Sequence, residues 1–290
     1  EALGTVEEML ARGMRTGEVF SLQAWIYNRM ARLEPARQSL EQAITIDPDA
    51  VEYYLDLSMV HVVRGDHSSA LQVLSHAQAR GLASDRLSLQ MGLVYQASGR
   101  AAEAEAQYRN TVEAYPRNGA GHLALAGLLL TAHREDEALT LLARAVEFLP
   151  QDALVQHVYG AQLLARAESS SLAGLEDAGR ILRRALQLNP RNAETLYLLG
   201  KYSLLREDGP AAEGYFLKAC AADPRHVEAH YRLIRIARQR GDSQKASELA
   251  RIVERIRAEK QVEEHAQFER LVEETVRGTR GREFKNPGNN

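Results

Sequence analysis

The 290-residue sequence predicts an all-α solenoid of stacked antiparallel helix pairs. Three observations carry that prediction: a proline that returns in one phase, an alanine that returns twelve residues before it, and the lack of any sustained two-residue alternation of a strand. Five of the eight prolines, Pro48, Pro116, Pro150, Pro190 and Pro224, are separated by 68, 34, 40 and 34 residues. Those gaps are two periods, one, one plus six residues, and one.

With each proline at position 32 of a 34-residue frame, repeats fall at 17–50, 51–84, 85–118, 119–152, 153–192, 193–226 and 227–260. Position 20 then reads Ala36, Ala70, Ala104, Ala138, Ala178, Ala212 and Ala246. Position 8 is small in six repeats, at Ala24, Ser58, Gly92, Ala126, Gly160 and Gly200, and becomes Ile234 in the seventh. Position 24 is large at Leu40, Leu74, Tyr108, Leu142, Leu182 and Phe216, with Ala250 as the exception. Large and small residues alternate because two helices approach closely only where one offers a hole for the other's knob. Gly65, Gly99 and Gly241 stand at position 15, where the first helix of a pair must end. Pro35 and Pro210 open second helices, where a missing amide proton costs little.

The segments outside the regular frame are assigned in the same way. Residues 1–16 align on the second helix of the 51–84 repeat, with Ala2 at position 20, and read as half of an incomplete repeat. That raises three expectations: further repeats upstream, a second subunit covering this end, or an N-terminal helix that simply caps the array. The six extra residues of the fifth repeat lie near 168–173, between its helices, and predict a loop that protrudes. No proline or glycine occurs from Ser243 to Val276, so helix continues past the last repeat. Its apolar stripe breaks at Glu259-Lys260, which predicts a bend or a separate capping helix over 259–277. Residues 278–290 lack periodicity and read as an extended or disordered tail, with Phe284 as its one anchor.

The frame resembles the tetratricopeptide repeat family, with small residues at 8 and 20, a large one at 24 and proline at 32. The third repeat, with Gly92, Tyr95, Gly99, Ala104, Tyr108 and Pro116, matches most fully, and the likeness extends over 17–258. The resemblance implies a right-handed superhelix whose first helices line a concave groove through positions 2, 5, 9, 12 and 13. Mapped here, the candidate groove residues are Trp25, Leu55, Met59, Leu89, Leu93, Leu123, His157, Tyr197, Lys201, Tyr231, Arg235 and Arg238. The middle is apolar and the C-terminal end basic, and the competing reading of the leucines is that the protein covers them itself or uses them in helix–helix packing. The family's carboxylate clamp needs lysine and asparagine where this chain has Ser21 and Trp25, which argues against that ligand class. Arg232, Arg235 and Arg238 share a helix face. Pairing with Glu259, Glu263, Glu264, Glu269, Glu273 and Glu274 is the expected use of that face, with a carboxylate or phosphate of a partner as the alternative.

The function implied is a non-catalytic scaffold binding a protein or peptide in the groove. Two alternatives are kept: end-to-end self-assembly through the half-repeat at the start, and the repeat region of a larger enzyme such as a glycosyltransferase. The sequence has no glycine-rich phosphate loop, cysteine pair for zinc, HExxH or nucleophile elbow, so no enzyme activity, cofactor or metal is expected. His122 and His230 occupy position 4 and read as packing residues. Formal net charge is -3, which offers no overall basic field for nucleic acid. No apolar run is long enough to span a bilayer. Only five of the 36 basic residues are lysine, a bias of GC-rich bacterial genomes, and the compartment stays open between cytoplasmic and exported.

Overall fold

The computed structural model describes residues 2–170 and 172–280, with side chains as far as 269. The described residues form helices and no strands. Helix α1 (Ala2–Ala11) is followed by seven pairs: α2 (Gly17–Arg29) with α3 (Leu33–Ile46), α4 (Val51–Val63) with α5 (His67–Ala79), α6 (Asp85–Ala97) with α7 (Ala101–Ala114), α8 (Gly119–Thr131) with α9 (Glu135–Phe148), α10 (Ala153–Ser169) with α11 (Leu175–Leu188), α12 (Ala193–Leu205) with α13 (Gly209–Ala222), and α14 (Val227–Gln239) with α15 (Ser243–Arg280). The architecture is the solenoid of helix pairs that the proline phase predicts. Two compact units, Glu1–Val158 and Tyr159–Asn290, divide the chain within α10.

The core of each unit is built from the frame's knobs and holes. In the first unit Ala36, Ala70, Ala104 and Ala138 are wholly buried, as are Tyr108, Leu74 and Leu142. Gly92 makes room for Tyr108: a Cβ there would stand 2.3 Å from the ring. In the second unit Gly200 does the same for Phe216, at 2.4 Å. The seventh repeat, which breaks both rules in sequence, keeps the sum of sizes by exchanging them. Ile234 is now the buried knob, and Ala250 packs against its cluster as the hole.

The phased proline also has a bonding role. Tyr54 Oη donates to the carbonyl of Pro48 at 2.9 Å, and Nε2 of His122 and of His230 meets the carbonyls of Pro116 and Pro224 at 2.9 and 3.1 Å. Position 4 of a repeat therefore satisfies the proline carbonyl of the repeat before it, so these buried histidines serve a backbone hydrogen bond as well as packing. Because a carbonyl only accepts, Nε2 carries the proton in both rings.

First helices end in a left-handed residue at position 15. Gly65, Gly99 and Gly241 have φ of 77, 76 and 79°, and Ala31, His133 and Glu207 are held at 55, 56 and 60° in the same register. The fifth repeat solves the turn differently. Its first helix has 17 residues where the other six have 13, so most of the insertion is an added helical turn and the loop is short. Leu172 and Gly174 take the positive φ there, at 65 and 77°.

Both ends differ from the interior. On α1, Val6 is buried against Val19 and Ile26, while Ala2 is exposed, unlike every other position-20 alanine. Helix α15 runs unbroken from Ser243 to Arg280, so 259–277 is the continuation of the last repeat's second helix and not a separate cap. A charged break in an apolar stripe does not stop a helix that lies in solvent and contains good helix formers; Val262 and Phe268 on it are exposed. Residues 278–280, expected in the tail, are the last of this helix, and residues 281–290, including Phe284, lie outside the described residues.

Candidate partner-binding groove

In the first unit, positions 5 and 9 of the first helices have different fates. Leu55, at position 5 of α4, is 7% exposed and belongs to a core cluster with Leu74, Leu87 and Met91, the last two from α6. Leu89 and Leu123, at position 5 of α6 and α8, are half-buried, and Leu89 packs on the cluster of Tyr108 and Leu125. His157 is half-buried as well. Position 5 is thus drawn toward the seam between neighbouring first helices, which removes Leu55 from the candidate surface. Position 9 faces outward: Trp25, Met59 and Leu93 are 59, 42 and 41% exposed on α2, α4 and α6. The row ends at Gly127, exposed on α8 with open space where a side chain would be.

Trp25 and Met59 flank a cleft of 80 Å³ between α2 and α4, completed by Ala24, Asn28, Leu40, Asp56 and Val60. Arg29 lies over the Trp25 ring at 5.7 Å. The carboxyl of Asp56 is raised above its ordinary value because burial outweighs the attraction of Arg86, and Glu52 adds to the rise. More than a third of Asp56 stays open to solvent, so the shift is that of a group at a crowded rim. Asn28 and Asp56 were not among the sequence candidates. The signal for Asp56 was a single carboxylate in the apolar run Tyr53-Tyr54-Leu55-Asp56-Leu57 of α4. Wider clefts of 300 Å³ lie on α7, α8 and α9, away from this row, around Arg109 and Arg144. Arg109 is tied there to Glu105 and Glu137, at 2.8 and 3.2 Å.

The second unit presents other chemistry in the same register. Tyr197, at position 5 of α12, is half-buried against Phe216 and His226, with ring centres 5.8 and 5.0 Å away. Lys201 is held by Glu168 at 2.9 Å; that glutamate sits on the added turn of α10. Tyr231, on the last first helix, is 39% exposed and carries Arg257 over its ring at 5.3 Å. Arg235 and Arg238 are exposed, with Arg232 half-buried beside them. None of the three makes an ion pair among the described residues, which corrects the expectation of internal pairing for four of the six glutamates; the side chains of Glu273 and Glu274 lie outside the described residues. Glu263 meets Arg225 at 3.1 Å, and Glu259, Glu264 and Glu269 meet residues four earlier on their own helix. A helix pairs its own i,i+4 charges without ordering a second element.

Among the described residues no group of three or more His, Cys, Asp or Glu side chains converges as a metal site would require. No described helix is long and apolar enough to cross a membrane. The half-buried Cys220 thiol is pushed up to about 11 by burial.

Paired helices in a 34-residue frame, with buried small–large contacts and variable outward positions on the first helices, define a helical-repeat solenoid of the protein-interaction class. Tetratricopeptide repeat family models match residues 18–50, 95–166, 172–225 and 210–259, together more than half of the chain. The chain belongs to the tetratricopeptide repeat family. Solved structures share the fold. MamA is 19% identical with a TM-score of 0.51, over 59% of this chain and 96% of its own. PilF of Pseudomonas aeruginosa is 18% identical with a TM-score of 0.56, over 74% of this chain and 95% of its own. The Cut9–Hcn1 hetero-tetramer of APC/C gives 13% identity and a TM-score of 0.52, over 77% of this chain and 43% of that one. No curated protein matches the sequence.

Proposed function

We propose that the chain is a non-catalytic scaffold that holds a peptide or helix of a partner protein on the first-helix surface of its units. The observation that carries this reading is the row of Trp25, Met59 and Leu93. Three consecutive first helices expose a large apolar side chain at one register position, while their other large apolar residues are mostly drawn into the core. Exposed side chains of this kind act as anchor points because burying them against a partner removes a large apolar area from water, and the flexible thioether of methionine adapts to the shape it meets. In the second unit Tyr231, Arg235 and Arg238 are the corresponding proposed contacts, and they favour an acidic segment.

The test is a randomised peptide library panned on the full chain. Affinities of the recovered peptides are then measured against Trp25→Ala and Met59→Ala. A loss of about tenfold or more for each is expected, the cost of truncating a central anchor. Unchanged affinity in both variants, with the thermal melt preserved, overturns this reading of the first unit.

A further inference from the structure

The cleft between α2 and α4 has a polar feature that an apolar anchor alone leaves unmatched. Asp56 projects at its rim from a helix whose neighbouring residues Tyr54, Leu55, Leu57 and Ser58 are buried. Among the described residues no hydrogen bond or salt bridge reaches its carboxylate. The charged groups acting on it are Arg86 and Glu52. Arg86 is bonded to Glu52 at 3.1 Å, so two carboxylates share one cation and Asp56 is not the one bonded to it. Closing the cleft with a purely apolar ligand would strip water from Asp56 and supply nothing in return, which is costly.

Resting on the groove reading above, we infer that this cleft takes a lysine or arginine side chain of the partner, its hydrocarbon stem on Trp25 and Met59 and its cation on Asp56. Long basic side chains carry both parts, an apolar stem and a charged head, in the order this cleft offers them. The Trp25 face already holds one guanidinium, that of Arg29, so the ring accepts cations. Asn28, on the facing helix, gives the partner's backbone an amide to bond. The occupant is then a segment in which a basic residue neighbours an apolar one, the latter lying toward Leu93.

The same chain excludes that segment from the equivalent place in the second unit. A shift of 176 residues takes Ala24, Trp25, Asn28, Leu40, Asp56, Met59 and Val60 onto Gly200, Lys201, Leu204, Phe216, Arg232, Arg235 and Ile236. Arg232 replaces Asp56 and Arg235 replaces Met59, so a cationic side chain meets like charge there.

The experiment pans the peptide library on the full chain and, in parallel, on Asp56→Asn and Asp56→Lys. Peptides recovered on the unsubstituted chain are expected to be enriched in lysine or arginine beside an apolar residue. Enrichment should disappear on Asp56→Asn and turn toward aspartate or glutamate on Asp56→Lys. Individual basic peptides should bind Asp56→Asn about tenfold more weakly, the loss expected for a charge-assisted contact. Basic enrichment that persists on both variants, or its absence on the unsubstituted chain, overturns the inference. If Trp25→Ala and Met59→Ala weaken binding while the Asp56 variants do not alter charge preference, the groove reading stands and only the cation assignment fails. If the Trp25 and Met59 variants have no effect, both fall.

Discussion

The Trp25–Met59 cleft of the first unit and its register equivalent in the second unit share their buried parts and differ in everything that faces out. Ala24 against Leu40 becomes Gly200 against Phe216, one small–large pair exchanged for another with the volume shifted from hole to knob. Trp25, Asp56 and Met59 become Lys201, Arg232 and Arg235. A repeat array can vary its outward positions freely because each repeat's stability rests on contacts with its immediate neighbours, made by residues that never reach the surface. The fold tolerates opposite charge at equivalent register positions for that reason.

The comparison is broken most severely by forcing one unit's packing solution onto the other. Gly200→Ala places a methyl group 2.4 Å from the wholly buried Phe216 ring and should destabilise by about 1–3 kcal/mol in urea unfolding. Adding Phe216→Leu recreates the Ala–Leu pair of the first unit and should recover much of that loss. A double variant no more stable than the single one would show that the two units do not share interchangeable packing. Ile234 and Ala250 already represent a naturally exchanged pair, so the same logic explains why the seventh repeat folds despite departing from both positional rules.

A second, smaller effect concerns the bond between position 4 and the preceding proline. Burial holds His122 below its ordinary value, with Arg144 adding to the shift and the Pro116 bond opposing it. The neutral ring is favoured in the folded state, whereas the unfolded chain takes up its proton near pH 6.5, so the unfolded state binds more protons below that pH. The contribution of His122 is therefore whole above about pH 6.5 and is lost as pH falls below it toward the depressed folded value. His122→Tyr copies Tyr54, whose hydroxyl donates to Pro48, and removes the titrating ring. Stability between pH 7 and 5 should fall less in this variant than in the unsubstituted chain; an equal fall would assign the acid sensitivity to other groups. His122→Phe loses the hydrogen bond outright and should cost about 1 kcal/mol at pH 7.

How much of this could be read from the sequence depended on periodicity. Buried positions repeat, so Ala36 through Ala246 and their knobs were visible as a pattern, and so was each helix pair. The groove was less legible because its residues do not repeat. Position 5 looked equivalent to position 9 until the packing of first helix on first helix drew Leu55 into the core and left Met59 outside. Asp56 and Arg232 share a position outside the family's usual groove set, and only the register between units makes them a pair. The insertion was expected as a loop near 168–173, whereas most of it is helix. Four added residues continue α10 and deliver Glu168 to Lys201, a contact between residues 33 apart that no local pattern encodes. The long α15 shows the complementary failure: a break in an apolar stripe marks the end of burial, not the end of a helix.

The smallest expected effect tests whether the register is obeyed by backbone as well as side chains. Position 15 is left-handed whether the residue is glycine, as at Gly65 in the first unit and Gly241 in the second, or not, as at Ala31 and Glu207. A residue with a Cβ is strained there, while glycine is not, but glycine also gains freedom in the unfolded chain. The strain, about 1–2 kcal/mol, exceeds the entropic loss of about 0.4–1 kcal/mol, so the balance favours glycine slightly. Ala31→Gly and Glu207→Gly should each stabilise their unit by up to about 1 kcal/mol, read as a rise in the urea midpoint without a change in slope. Gly65→Ala and Gly241→Ala should move it the other way. If glycine lowers the midpoint at Ala31 and at Glu207 alike, the left-handed turn is not strained by a Cβ. If it does so in one unit only, the turn at position 15 depends on the side chains around it, and the equivalence between units ends at the packing positions.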